Sequence, residues 1–67
     1  MDTHLTNREV EIIRSIAEGH NSQEIAQNLY ISVRTVETHR KNIKSKLGFK
    51  NFYGVITYAF RNNIIPI

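Results

Sequence analysis

Four residues of the kind that begin helices, Thr6, Asn21, Ser32 and Asn51, punctuate a chain of 67 residues that has no cysteine. A chain this short is expected to form one domain, spanning 1–67, with three or four helices around a single apolar centre and no roomy pocket. Without disulfides or thiolate metal sites, packing and helix caps must supply its stability. No strand alternation, repeat or low-complexity segment appears, so the expected class is all-α with four helices.

The first helix is expected over about 7–18. Thr6 and Glu9 form a capping-box pair, Leu5 and Val10 occupy the two positions of a hydrophobic staple, and Gly19 stands where a left-handed residue ends a helix. Val10, Ile13, Ile16 and Ala17 follow at helical spacing. A short second helix is expected over about 22–29, capped by Asn21 with Glu24 reaching back, and carrying Ile25, Ala26 and Leu29 as a narrow apolar stripe. Ser32 then caps a third helix over about 33–47, whose core arc is Val36, Ile43 and Leu47, flanked by His39 and Arg40. After Gly48, Asn51 caps a fourth helix over about 52–62, rich in Phe52, Val55, Ile56, Ala59 and Phe60. Met1 to His4 carries no pattern and reads as a linker or a chain start.

Charge separates along this frame. Residues 1–31 carry −3, residues 32–50 carry +5 and residues 51–67 carry +1. Five of the six Lys and Arg residues between Arg34 and Lys50 lie on the third helix. An acidic first half joined to one basic helix suits a protein that presents a single face to phosphate.

A short capped helix, a three-residue turn and a basic helix make the layout of a helix-turn-helix, in which the second helix of the pair enters the major groove of duplex DNA. Arg34, Glu37, Thr38 and Lys41 project from its first turns and are the expected base contacts. Glu can accept from cytosine N4, Thr can touch a thymine methyl, and Lys or Arg can donate to guanine O6 and N7. Arg40, Lys44, Lys46 and Lys50, with the N-terminal amides of the second and third helices, are suited to grip phosphates. Thr35, at the third position of its helix, serves either the cap or a phosphate. Glu37 and Lys41 also have the spacing of an i,i+4 ion pair.

The run Gly19, Asn21-Ser22-Gln23-Glu24-Ile25-Ala26, Leu29, Ile31-Ser32, Thr35-Val36-Glu37-Thr38-His39, Ile43, Lys46-Leu47-Gly48 resembles the LuxR-type (GerE-like) DNA-binding domain over about residues 5–64. The resemblance implies a four-helix helix-turn-helix domain of a bacterial transcription regulator, as found at the C-terminus of response regulators. It also implies base contacts at Glu37, Thr38 and Lys41, and phosphate contacts at Asn21 or Ser22, Thr35, His39 and Lys46. In many members the fourth helix forms a dimer contact, which here would use Tyr53, Val55, Tyr58 and Ala59. The chain departs from the family where a basic residue often precedes the position of Thr38, and where an Arg often opens the fourth helix. It has Glu37 and Phe52-Tyr53-Gly54 at those places.

Other functions fit less well. The sequence holds no nucleophile with a base, paired catalytic carboxylates or glycine-rich phosphate loop, so no enzyme and no cofactor is expected. His4, His20 and His39 lack metal-ligand spacing. No apolar run approaches the ~20 residues that span a bilayer, and a bacterial cytoplasmic location is expected. The main rival is a protein-interaction module contacting RNA polymerase, an architecture that a sigma-factor region-four domain resembles. The expected partner is double-stranded DNA, bound by a weak homodimer through the fourth helix.

Overall fold

The computed structural model describes residues 5–65; the unpatterned Met1–His4 lies outside them. Four helices follow in order: α1 (Asn7–Ala17), α2 (Ser22–Leu29), α3 (Val33–Leu47) and α4 (Phe52–Arg61), with no strand among the described residues. Each starts where its cap residue predicts. Thr6 Oγ1 accepts the Glu9 amide at 3.1 Å while Glu9 Oε1 accepts the Thr6 amide at 2.8 Å. Asn21 and Glu24 repeat this exchange at 2.8 Å in both directions. Ser32 Oγ accepts from the Thr35 amide, and Asn51 Oδ1 from the Gly54 amide. These bonds satisfy amides that have no partner within their own helix.

The C-terminal ends of α1 and α4 fall one residue short of the sequence expectation. Glu18 and Asn62 are the cap residues: Asn62 has left the helical region, whereas Glu18 is still right-handed and the chain reverses at Gly19, with φ at +98°. Gly48 takes the left-handed conformation that ends α3, with φ at +79°. Tyr30 does the same at the end of α2, with φ at +59°, although it carries a Cβ. The three-residue turn into α3 requires a left-handed residue there, and the side chain that occupies it is 94% exposed.

The core comprises Ile12 and Ile13 of α1, Ile25 and Ala26 of α2, Val36 and Ile43 of α3, Phe52, Val55 and Ala59 of α4, and Ile65. Helix α3 is central and packs against each of the other three helices. Its expected arc holds for Val36 and Ile43, which are fully buried, whereas Leu47 is half-buried. On α1 the expected stripe is displaced. Ile12 and Ile13 carry the core, Val10 and Ile16 lie at its edge, and Ala17 is exposed. Past α4 the chain turns back through Asn63, at φ +57°, so that Ile65 fills the core from outside the helices.

The same rotation of α1 puts Glu9 on the inward side, only 6% exposed. Lys46 of α3 meets it, Nζ lying 2.7 Å from Glu9 Oε1, the oxygen that also accepts the Thr6 amide. Burial by itself raises the Glu9 carboxyl pKa. The Lys46 hydrogen bond, the Thr6 amide and the ammonium charge outweigh it and hold the pKa below its ordinary 4.5. Because the folded value is the lower one, the stability this group contributes is complete above the unfolded pKa and is lost as pH falls through the folded value.

Two outcomes follow in equilibrium unfolding. Lys46→Ala, which removes a partly exposed charged partner, should cost about 1–2 kcal/mol in urea titrations at pH 7, with a smaller difference from wild type once Glu9 is protonated. Tyr30→Asn, which eases the left-handed strain without removing packing, should raise stability by about 0.5 kcal/mol, read as a rise of roughly 2–4 °C in thermal midpoint.

Candidate nucleic-acid interface

Burial of Val36 and Ile43 leaves the opposite side of α3 in solvent. Arg34, Thr38, Lys41 and Ser45 recur at helical spacing along that side, and all four are exposed, as is the adjoining Glu37. Helix α2 braces α3 through Ile25 and Ala26, so the first turns of α3 project as a convex ridge. The expected base-reading quartet of Arg34, Glu37, Thr38 and Lys41 is thereby gathered on one accessible surface.

Glu37 is held from the side. Its Oε2 accepts the Ser22 hydroxyl, which belongs to the first turn of α2. Lys41, its possible partner one turn later, makes no ion pair among the described residues. Arg40 lies half-buried on the same flank, with its guanidinium carbon 4.9 Å from the centroid of the Phe52 ring and Nη1 3.5 Å from Ser22 Oγ. The ring's negative face and the hydroxyl oxygen both favour the cation, and the long contact to Ser22 is the weaker of the two. Phe52, Arg40, Ser22 and Glu37 thus form a chain of contacts from α4 through α3 to α2 and back to α3.

The expected phosphate contacts divide by what already engages them. Asn21 caps α2 through its carbonyl oxygen. Thr35 joins the α3 cap, its Oγ1 lying 2.9 Å from Ser32 Oγ, so in the unbound domain the capping role of this residue is the one observed. Ser22 is tied to Glu37, and Lys46 to Glu9. His39 and Lys44 are half-buried at the edge of the basic face, while Lys50, beyond α3, is exposed. Arg34, Lys41, Lys44 and Lys50 therefore supply the positive charge most open to a polyanion. The ties of Ser22, Arg40 and Lys46 span 12 or more residues of sequence and had no local signal.

Helix α4 requires a correction. Val55 and Ala59, expected as dimer contacts, have no exposure at all. With Phe52 they form the i, i+3, i+7 stripe that α4 turns toward the core, and a second chain cannot reach them. Of the four expected contacts, only Tyr53, 81% exposed, and the half-buried Tyr58 remain at the surface. They border an open groove of about 370 Å³ lined by Phe49, Tyr53, Gly54, Thr57, Tyr58, Arg61 and Asn62. Phe49 meets Tyr58 edge-on, with ring centroids 6.1 Å apart, and closes directly over Gly54. A Cβ at residue 54 would stand 2.6 Å from Phe49 Cδ1, so the groove's floor depends on this glycine.

No group of three or more His, Asp or Glu residues among the described residues could hold a metal ion. His20 lies instead between two carboxylates, 3.9 Å from Glu18 and 3.8 Å from Glu24. None of the described helices is long and apolar enough to cross a membrane.

Comparison with known proteins agrees with this geometry. The chain is 46% identical over 61 residues to the response regulator protein VraR of Staphylococcus aureus, and to the VraR proteins of Staphylococcus epidermidis and Staphylococcus saprophyticus. The aligned part is 91% of this chain and 29% of each relative. Among solved structures, the response regulator ChrA of a heme-sensing two-component system superposes with a TM-score of 0.87 at 37% identity, covering 97% of this chain and 32% of that one. The chain therefore spans less than a third of the length of these relatives. The model of the family described as bacterial regulatory proteins, luxR family, matches residues 3–59, and with four capped helices and an outward-facing α3 the chain belongs to that family.

Proposed function

We propose that this chain reads specific sequences in duplex DNA, with α3 in the major groove, as the effector domain of a bacterial response regulator. The observation that carries this reading is the exposed ridge of Arg34, Glu37, Thr38 and Lys41 on a helix whose other side is locked into the core. The ridge mixes donors, an acceptor and a methyl group. A surface built only for charge attraction has no use for Glu37, whereas readout of base edges needs both donors and acceptors. The relatives' description as response regulators supports placing this domain under the control of another part of a longer protein.

Phosphate contact is assigned first to Lys44 and Lys50 beside the ridge, with Arg34 available to either role. Asn21 and Thr35 stand at the starts of α2 and α3, where first-turn amides also favour anions, and His39 lies half-buried beside the ridge in the second turn of α3. Arg40 and Lys46 reach phosphate only by sharing or leaving the partners they hold in the unbound domain, and Ser22, whose one proton goes to Glu37, is not assigned to phosphate.

A second copy is assigned to the outer face of α4. Tyr53 is among the few large apolar side chains left in solvent, and it borders a groove whose lining is mostly apolar. Helices packed about a two-fold axis there would set two α3 ridges about one DNA turn apart, roughly 34 Å, and would read an inverted repeat.

Selection from a random duplex pool at about 0.15 M salt tests the reading directly, because non-specific attraction is largely screened there. An inverted repeat with half-sites one turn apart is expected; recovery of no preferred sequence by folded protein would refute sequence readout. At the selected site, Lys41→Ala should cost about 1–3 kcal/mol and relax one base pair. Lys44→Ala should instead weaken all sequences alike and lower the salt slope by about one. Tyr53→Glu should remove cooperative binding to the repeat while leaving affinity for a single half-site unchanged, as measured by mobility shift.

A further inference from the structure

Ser22 has a hydroxyl that its own helix does not need. Asn21 is the N-cap of α2 and already accepts the Glu24 amide, so Ser22, one residue later, is spared from capping. Its single hydroxyl proton goes to Glu37 Oε2 on α3. Its oxygen in turn faces Arg40 Nη1, and Arg40 is seated on the Phe52 ring. An exposed glutamate on a helix surface ordinarily samples several rotamers. Here one carboxylate oxygen is fixed from the neighbouring helix, and the other has no partner among the described hydrogen bonds.

We propose that Ser22 is a positioning residue for sequence readout, holding the Glu37 carboxylate so that its second oxygen selects a base bearing an exocyclic amine. The inference rests on the DNA-reading function proposed above. A carboxylate can only accept hydrogen bonds, so a fixed one favours cytosine N4 or adenine N6 and opposes the acceptor atoms of guanine and thymine at the same place. A loose one turns away from acceptors at little cost and discriminates less. The hydroxyl's one proton also means that Ser22 donates either to Glu37 or to a phosphate, and the structure assigns it to Glu37.

A purely mechanical strut between α2 and α3 would act on stability and on all DNA sequences alike, which separates it from positioning. The experiment uses the full chain, with random-pool selection followed by titration of the selected duplex and its single-base-pair variants. Wild type is expected to prefer an amine-bearing base at one position of each half-site. Ser22→Ala should lower that preference about three- to tenfold while leaving other positions and the thermal midpoint as in wild type. Ser22→Thr, which keeps the hydroxyl, should restore it. Glu37→Ala should abolish it, and adding Ser22→Ala to Glu37→Ala should change nothing more. If Ser22→Ala lowers affinity for every sequence equally, or leaves the preference at that position intact in a protein that reads DNA, the positioning role is overturned and the function stands. A wild type that selects no sequence overturns the function and this inference together.

Discussion

Val36 and Ile43 have no exposure to solvent, and their burial against α1, α2 and α4 sets the rotation of α3 about its own axis. Each such side chain contributes about 1.5–3 kcal/mol relative to exposure, as much as or more than a polar contact at the helix surface. With that side locked, the helical repeat leaves Arg34, Thr38 and Lys41 no direction but outward. The candidate interface is thus a consequence of core packing, and its precision is that of the core. Ile25 and Ala26 complete the arrangement by fixing where α2 lies beside the first turns of α3.

Polar contacts add what apolar packing cannot. Glu9 serves its own helix as the third residue of a capping box and, through the same oxygen, receives Lys46 from α3. A buried carboxylate is costly alone, and here it has both an amide and an ammonium, with no buried side-chain nitrogen or oxygen left unpaired among the described residues. Arg40 makes a comparable link to α4 through Phe52. Two of the basic residues of α3 therefore join helices together, and the positive charge offered to solvent is concentrated on the remainder. An interface assembled this way presents less charge than its composition suggests and more shape.

Much of the fold was legible along the chain because caps are local. Thr6 with Glu9, Asn21 with Glu24, Ser32 and Asn51 all begin helices where their side chains can reach an amide three residues on, and no distant residue is needed for that. The face of α3 was legible for the same reason, since Val36 and Ile43 are seven residues, or about two helical turns, apart. Helix α1 was less so. Its isoleucines at 12, 13 and 16 offer more than one stripe, and the rotation that buries Ile12 and Ile13 also turns Glu9 inward, where a lysine 37 positions away receives it. Helix α4 is apolar over so much of its surface that periodicity could not say which residues turn inward, and Val55 and Ala59 proved to be core.

Sequence by itself determined the four helices, their starts, the basic character of α3 and the identity of its outward ridge, because capping and helical repeat act over three or four residues. Tertiary structure alone decided which polar groups are spoken for. Ser22 and Glu37 are 15 residues apart, Lys46 and Glu9 37 apart, and their meeting depends on the angles at which three helices pack. It also decided that Ile65 closes the core and that Phe49 folds over Gly54 to shape the groove on α4. Such contacts leave no periodic trace in a sequence, since either partner could as readily face water until the helices are brought together.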